Sequence, residues 1–365
     1  MDADEVWTNG HPVLFGEHSL ERLEERLSAL ENDPSFVVLC DENTLRQCLP
    51  ELLRLVPALR EAELIEVPPG EASKDLAICS NLWLYLMEIG ADRDAVLICL
   101  GGGVITDLGG FVAATYKRGV RFVNVPTSLM GMVDASIGGK NGVDLGQAKN
   151  MVGTFHDPLS VHVHVPFLRT LGKRDLMNGL AEMIKHGLIA DAGHWQAIRQ
   201  AELHDIDALA PLIHRSAAIK CALVEADPLD KSVRKKLNFG HTIGHALEAY
   251  SWEGPVRSLL HGEAIAVGMI CAAWISWRRN LLAREDLDAI TAHLLELYKP
   301  YPLETADAHR IIEIMRNDKK NREGQFRFTL LNGIGDALVD QRVNAAMVTS
   351  ALDHYRELVR HQEAD

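Results

Sequence analysis

The stretch Ala95-Val-Leu-Ile-Cys-Leu100, continuing directly into Gly101-Gly-Gly-Val-Ile-Thr106-Asp107, decides the fold class of this 365-residue chain. Its apolar run reads as a strand, the glycines as a tight turn, and the residues beyond them as the start of a helix. A strand that passes through glycines into a helix is the unit of a parallel sheet covered by helices. Glycines at such a turn let backbone amides approach a pyrophosphate, and the helix N-terminus adds a favourable dipole. Thr106 stands where the third glycine of a GxGxxG fingerprint would be, so nucleotide binding and a purely structural turn both remain open.

Reading outward, Phe36 to Cys40, Leu64 to Val67 and Arg121 to Val125 are further apolar runs expected to be strands. Ser19 to Leu30 and Leu45 to Leu55 have helical spacing, with Ser19 an expected N-cap. From about residue 165 the β pattern fades. Helices are expected at 175–190, 207–225, 234–250, 262–280, 285–298, 308–317 and 343–361, with a short strand at Phe326 to Leu331. The reading is therefore an α/β domain over 1–165 and a mainly helical domain over 166–365.

The net charge of −14 argues against nucleic acid or an anionic membrane as the main partner. An anionic small substrate would need local cations. The acidic start, Met-Asp-Ala-Asp-Glu, is unlike a secretory signal, and the longest apolar stretch, Ala264 to Ile275, is too short to span a bilayer. Six cysteines scattered without CxxC spacing suit a reducing cytoplasm.

Several constellations carry candidate chemistry. Asp41, after the first strand expected here, is placed either to accept hydrogen bonds from ribose or adenine groups or to cap the next helix. Glu71 and Lys74, in the rigid turn Pro68-Pro-Gly-Glu-Ala-Ser-Lys74, are an acid and a base that read either as a site or as a solvated pair. Gly138-Gly-Lys140, then Lys149-Asn150, offer donors beside glycines that allow close backbone approach, the composition of a phosphate or carboxylate site. Glu182 and Lys185 lie one turn apart on an otherwise apolar helical stretch, where they must be paired or bound to a metal. In Arg234-Lys-Lys-Leu-Asn238-Phe-Gly-His241-Thr-Ile-Gly-His245, a helix at about 100° per residue would place Arg234, Asn238, His241 and His245 on one narrow stripe. His261-Gly-Glu263 follows. Glu182, His241 and His261 would make a carboxylate and two histidines around zinc with an open position for substrate oxygens. Thr242 occupies the place of the HExxH glutamate, which disfavours a zinc peptidase.

These residues sit in motifs that resemble the 3-dehydroquinate synthase family: GGGVITD at 101–107, TYKRG at 115–119, VPTSLMGMVDASIGGK at 125–140, KNMVGTF at 149–155, GLAEMIKHGLI at 179–189, LNFGHTIGHALE at 237–248, HGEAIAVGM at 261–269 and NDKKNREGQFRFTLLNGIG at 317–335. The likeness runs from about Asp41 to Asp336. It implies a Rossmann-like NAD-binding domain, a helical metal- and substrate-binding domain, an active site in the cleft between them, and a homodimer. It further implies zinc, with cobalt as an alternative, on Glu182, His241 and His261. The NAD contacts would be Asp41, Glu71, Lys74, Gly102, Gly103, Val104, Asp107, Thr127, Ser128, Lys140 and Lys149, with Thr170, Leu171 and Asp175 as additions. A substrate pocket is implied around Lys140, Asn150, Lys185, Lys220, Arg234, Asn238, His245 and Lys319 with Lys320, with Asp134 orienting substrate hydroxyls and Arg118 reaching a neighbouring subunit's phosphate site. The implied reaction turns 3-deoxy-D-arabino-heptulosonate 7-phosphate into 3-dehydroquinate and phosphate; an amino-dehydroquinate or inosose-type cyclase and a metal-dependent polyol dehydrogenase are the alternatives. Thr106, Asn141 and Asp175 depart from the more usual residues of that family beside these contacts.

Overall fold

The computed structural model describes residues 4–364 apart from 147, 204, 254–255 and 317–324. The chain divides into two compact units, each discontinuous in sequence: Met1–Leu176 with Glu202–Leu229, and Met177–Ala201 with Asp230–Asp365. The sequence reading placed one boundary at 165/166; the structure instead returns a long helix, 206–226, to the first unit.

The first unit contains strands β1 (Glu5–Thr8), β2 (His11–Leu14), β3 (Phe36–Asp41), β4 (Glu63–Val67), β5 (Val96–Gly101), β6 (Arg121–Pro126), β7 (Lys140–Leu145), β8 (Ala148–Phe155) and β9 (Val161–His162). Seven form one sheet in the order β1-β2-β9-β6-β5-β3-β4, parallel except for the β1–β2 hairpin. Its helices are α1 (Ser19–Ser28), α2 (Glu42–Gln47), α3 (Leu49–Leu55), α4 (Leu76–Glu88) and α5 (Gly103–Thr115). Alternate residues Val37 and Leu39, Ile65 and Val67, and Leu97 and Cys99 send one sheet face into a core shared with Leu82 and Leu86 of α4 and Leu108 and Phe111 of α5. Every residue of β5 is buried, as the opening apolar run requires.

The four strands expected from apolar runs lie within one residue of their expected ends. Two helical expectations change. His18, not Ser19, is the N-cap of α1 and makes no side-chain cap; Ser19 is the first helical residue, its N–H already turned back to the Gly16 carbonyl at 3.2 Å. The helix expected over 45–55 breaks at Cys48 into α2 and α3, because Pro50 has no N–H to continue a hydrogen-bond ladder across that point. The glycine loop expected around Lys140 is the first strand of a separate β7–β8 hairpin.

Helix α6 (Lys173–Ala190) spans the division between units, α7 (Ala192–Gln200) belongs to the second, and α8 (Ile206–Ala226) to the first. The second unit continues with α9 (His241–Glu253), α10 (His261–Arg278), α11 (Arg284–Leu297), α12 (Thr305–Arg316), the antiparallel pair β10 (Gln325–Leu331) and β11 (Ala337–Asn344), and α13 (Ala345–Ala364). Helix α10 is buried from Ala264 to Ser276 and packs against α9, α11, α13 and β10. Among the described residues no helix is long and apolar enough to cross a membrane.

The single helix expected over 234–250 does not form. Val233–Asn238 is a 3₁₀ turn, Gly240 takes φ +80°, and α9 starts at His241. The cause is the crossing of α9 and α10: a Cβ on Gly268 would collide with the Gly240 carbonyl, and one on Gly244 would press into Ile265. Only glycine takes that left-handed turn without strain while letting two backbones meet. The stripe at 100° per residue therefore holds for His241 and His245 and not for Arg234 and Asn238.

Candidate metal centre and nucleotide cradle

In the second unit, α6 carries Glu182 and Lys185, fully buried, and α9 and α10 bring His241, His245 and His261 beside them. Glu182 Oε1 lies 3.8 Å from His241 Nε2 and 3.5 Å from His261 Nε2. Ligand bonds of about 2.0–2.1 Å at a tetrahedral metal put ligand atoms roughly 3.3 Å apart, close to this spacing. Glu182 Oε1 is buried without a hydrogen-bond donor among the described residues, while Oε2 lies against the Lys185 ammonium. Charge answers them instead. Burial opposes ionisation of Glu182, yet the Lys185 ammonium, with which it is in close ion-pair contact, and His261 and His241 hold the carboxyl well below the usual range. A buried carboxylate that is paired with an ammonium through one oxygen and turns the other toward two imidazoles fits a divalent cation.

The tautomers also fit. His241 Nδ1 is 3.2 Å from the Phe239 carbonyl, and His261 Nδ1 is 3.2 Å from Glu248 Oε2. A carbonyl and a carboxylate only accept, so each Nδ1 donates, and Nε2 is the atom each ring turns toward Glu182. Burial and the nearby Lys185 push His241 well below the usual imidazole range, which keeps it neutral as a ligand must be. Burial would lower His261 as well, but Glu182 and Glu248 raise it to about 9. His245 lies within the same cluster, where ligand atoms of the three histidines are within 4.8 Å of one another. It is exposed and solvated, whereas the Glu182 oxygens are not, so Glu182 has the greater need of a cation.

The local sequence explains the placement. Gly262 lets α10 start against α6, since a Cβ there would strike the Asn178 backbone, and the Gly262 N–H donates to Asn178 Oδ1 at 2.6 Å. Glu263 Oε2 accepts from the Leu260 N–H at 2.8 Å and Glu263 Oε1 pairs with Arg257 at 2.9 Å, fixing the chain that delivers His261. A cavity of about 400 Å³ opens beside the histidines, lined by Asp230, Lys235, Asn238, His241, His245 and Arg327 among others. Asn238 thus rejoins the histidines through the 3₁₀ turn. Arg234 is nearly fully buried at 2 % exposure and is not among the lining residues. Lys319 and Lys320 lie outside the described residues.

Sequence reasoning missed several residues here. Asp230, Lys235 and Arg327 line the cavity, and Glu248 holds His261. Arg327 carried a signal, an arginine alternating with the buried Phe326 and Phe328. Glu248 carried another, since a residue seven positions after His241 lies on the same helix face.

The first unit holds the glycine turn. Gly102 is the N-cap of α5 and Gly103 its first residue, with Val104 half-buried beside them. Thr106 fits as a buried residue because its hydroxyl donates to the Gly103 carbonyl at 3.1 Å. The Thr127 N–H donates to the Gly101 carbonyl at 3.0 Å, and Ser128 Oγ accepts from the Gly131 N–H at 3.1 Å, which joins the β5 and β6 ends. Asp41 caps α2, accepting from the Thr44 N–H at 2.9 Å in a capping box. Thr170 closes a 3₁₀ turn on the Phe167 carbonyl, Leu171 follows it, and Asp175 is exposed in the first turn of α6.

Glu71 and Lys74 are not a solvated pair. Lys74 is 4 % exposed and reaches Asp107 Oδ2 at 2.7 Å and Asn150 Oδ1 at 2.7 Å, with Glu71 at 3.7 Å. Burial works against its charge, but Asp107 and Glu71 outweigh it and raise the Lys74 pKa. Lys149 stands 3.5 Å from Glu71, and the Asn150 N–H donates to Asp144 at 2.7 Å. Lys140 pairs with Phe155 in the β7–β8 register, and the Asn150 side chain lies against Gly142, two residues along the same strand. Asp134, on the π-helical turn Gly131–Ala135, binds Lys220 of α8 at 2.5 Å. Arg118 is exposed on a turn where Lys117 and Arg118 both take positive φ, +47° and +71°.

Comparison with known proteins bears on this arrangement. The 3-dehydroquinate synthase N-terminal model matches residues 64–178, and the C-terminal model residues 179–321. A 3-dehydroquinate synthase of Parabacteroides distasonis is 39% identical over 340 residues, 92% of this chain and 95% of that protein. Among solved structures, a 2-deoxy-scyllo-inosose synthase complexed with carbaglucose-6-phosphate, NAD+ and Co2+ superposes with a TM-score of 0.81 at 26% identity, over 95% of this chain and 96% of the other. The 2-epi-5-epi-valiolone synthase of Streptomyces hygroscopicus subsp. jinggangensis 5008, with NAD+ and Zn2+ bound, gives 0.81 at 26% identity over 97% and 98%. With the two family models matching residues 64–178 and 179–321 in succession, and a relative 39% identical over 92% of the chain, the chain belongs to the 3-dehydroquinate synthase family.

Proposed function

We propose that this chain is an enzyme converting 3-deoxy-D-arabino-heptulosonate 7-phosphate to 3-dehydroquinate and phosphate, the ring-forming step of the shikimate route to aromatic amino acids, with NAD and a divalent metal. The observation that carries the site assignment is the buried Glu182 carboxylate, whose Oε1 faces the Nε2 atoms of His241 and His261. The metal, zinc with cobalt as the alternative, is held by these three and supplies Lewis-acid polarisation of substrate oxygens. NAD is held at the β5–α5 turn by Gly102, Gly103 and Val104, with Asp41, Glu71, Lys74, Asp107, Thr127, Ser128, Lys140, Lys149, Thr170, Leu171 and Asp175 contributing, and supplies reversible hydride transfer.

The chain's own groups then have distinct tasks. Lys74, buried and charged against Asp107, fixes the turn on which Glu71 stands. Asp134, held by Lys220, orients substrate hydroxyls. The guanidinium of Arg234 suits bidentate grip of a carboxylate. Asn238 and His245, in the cavity beside the metal ligands, meet the sugar-phosphate chain, with His245 a phosphate donor or proton carrier. Lys185 keeps Glu182 ionised. Lys140, Asn150 and one of Lys319 and Lys320 serve the leaving phosphate, and Arg118 reaches a neighbouring subunit's phosphate site in a homodimer. Its six cysteines, all reduced and buried, support a reducing, cytoplasmic setting.

A second reading, another sugar-phosphate cyclase, is favoured by the structural likeness to inosose and valiolone synthases. One assay separates them: the heptulosonate phosphate is supplied with zinc and catalytic NAD, and phosphate, net NADH and carbocycle are measured. Equal phosphate and 3-dehydroquinate without net NADH is expected. Absence of phosphate release would overturn the function, and stoichiometric NADH would make the chain a dehydrogenase.

A further inference from the structure

Glu248 has no task in the proposed reaction, yet it is a carboxylate at 4 % exposure inside the second unit. Such a group is costly to bury unless positive charge and hydrogen bonds answer it. Its Oε2 is 3.2 Å from Nδ1 of His261. The main chain beneath it is tied down as well: Ser251 Oγ donates to the Glu248 carbonyl at 2.7 Å, and the Leu259 N–H donates to Ser251 Oγ at 3.0 Å. This joins the end of α9 to the segment leading into α10, where His261 is the first residue.

Resting on the reading that Glu182, His241 and His261 hold the metal, we propose that Glu248 is the positioning residue of that centre: it accepts the Nδ1 proton of His261, fixes the ring so that Nε2 meets the cation, and supplies a second negative charge. The contrast with His241 supports it. His241 has its Nδ1 on a neutral carbonyl, whereas His261 has a carboxylate, which makes the ring a stronger donor to the ion. The charge balance agrees. With Lys185 set against one oxygen of Glu182, part of the ligand carboxylate's charge is answered by an ammonium, and Glu248 brings further negative charge to a buried divalent ion.

The test uses Glu248→Gln, which keeps shape and removes charge, in the full-length chain loaded with Zn2+ or Co2+. Chelator competition should show Zn2+ affinity falling about 10- to 100-fold, and the visible bands of the Co2+ form should shift. A merely structural Glu248 would lower the melting temperature of the metal-free and loaded forms alike and leave both readouts unmoved; that result overturns the proposal. His261→Ala is measured beside it. Loss of metal in that variant with an unchanged Glu248→Gln refutes the role of Glu248 alone. Wild-type chain that binds no metal refutes the metal centre and the proposal together. Should Glu248→Gln not fold, 15N spectra of Zn2+-loaded wild type decide: a protonated Nδ1 on His261 supports the proposal, and a protonated Nε2 overturns it.

Discussion

At the scale of single residues, the second unit is governed by one unfavourable feature, the carboxylate of Glu182 at zero exposure. An ion so placed must be matched by charge, and Lys185 one turn along the same helix supplies part of the match. The remaining demand falls on the side facing His241 and His261. Replacing His241 by alanine should therefore lower metal affinity more than about 100-fold and abolish turnover with it. Metal content by elemental analysis and phosphate release in the same preparation check this; full zinc with full activity would remove His241 from the ligand set. The mild departure Thr106 illustrates the opposite case. A residue that breaks a fingerprint is absorbed when its hydroxyl finds the Gly103 carbonyl, and the turn survives.

At the scale of elements, the decisive contact is the crossing of α9 and α10. Gly240, Gly244 and Gly268 bring the two backbones close enough for His241 and His261 to share one cluster. Adding a methyl at Gly268 has no flexible side chain to displace, only the Gly240 carbonyl. Gly268→Ala should destabilise the second unit by about 3 kcal/mol, at the upper end of overpacking effects, and reduce metal binding by spreading the histidines. Urea unfolding followed by circular dichroism, together with metal titration, measures both. A variant within about 0.5 kcal/mol of wild type would show that the crossing is looser than described. The same crossing ended the expected helix over 234–250, since helical spacing in sequence is silent about a neighbouring backbone.

For the whole molecule, the first unit ties its sheet to its outer helix through His162, which is fully buried: Nδ1 donates to the Ser19 carbonyl at 2.6 Å, and Ser160 Oγ lies 2.9 Å from Nε2. Burial lowers its pKa to about 3, below the ordinary 6.5 that holds on unfolding. A depressed histidine contributes stability that is fully present above pH 6.5 and is lost as pH falls toward 3. By pH 4 the loss is on the order of 3 kcal/mol at about 1.36 kcal/mol per unit. Urea midpoints from pH 7 to pH 4 should fall more steeply for wild type than for His162→Gln, by close to one proton; parallel slopes would disprove the linkage. The parallel sheet, the helical second half and the nearness of Glu182 to His241 and His261 match what the sequence led one to expect, because apolar period and residue chemistry are local properties. The β7–β8 hairpin was not, since Lys140-Asn-Gly-Val-Asp-Leu145 is too polar and glycine-rich to announce a strand, and its pairing partner is fixed only by the chain that follows. Nor were the return of α8 to the first unit, the break at Gly240 and the hold of Glu248 on His261. The sequence by itself determined the fold class and the residue types available for the chemistry. Tertiary structure alone decided which of those groups meet, because a buried charge and a close backbone crossing are properties of neighbours distant in the chain.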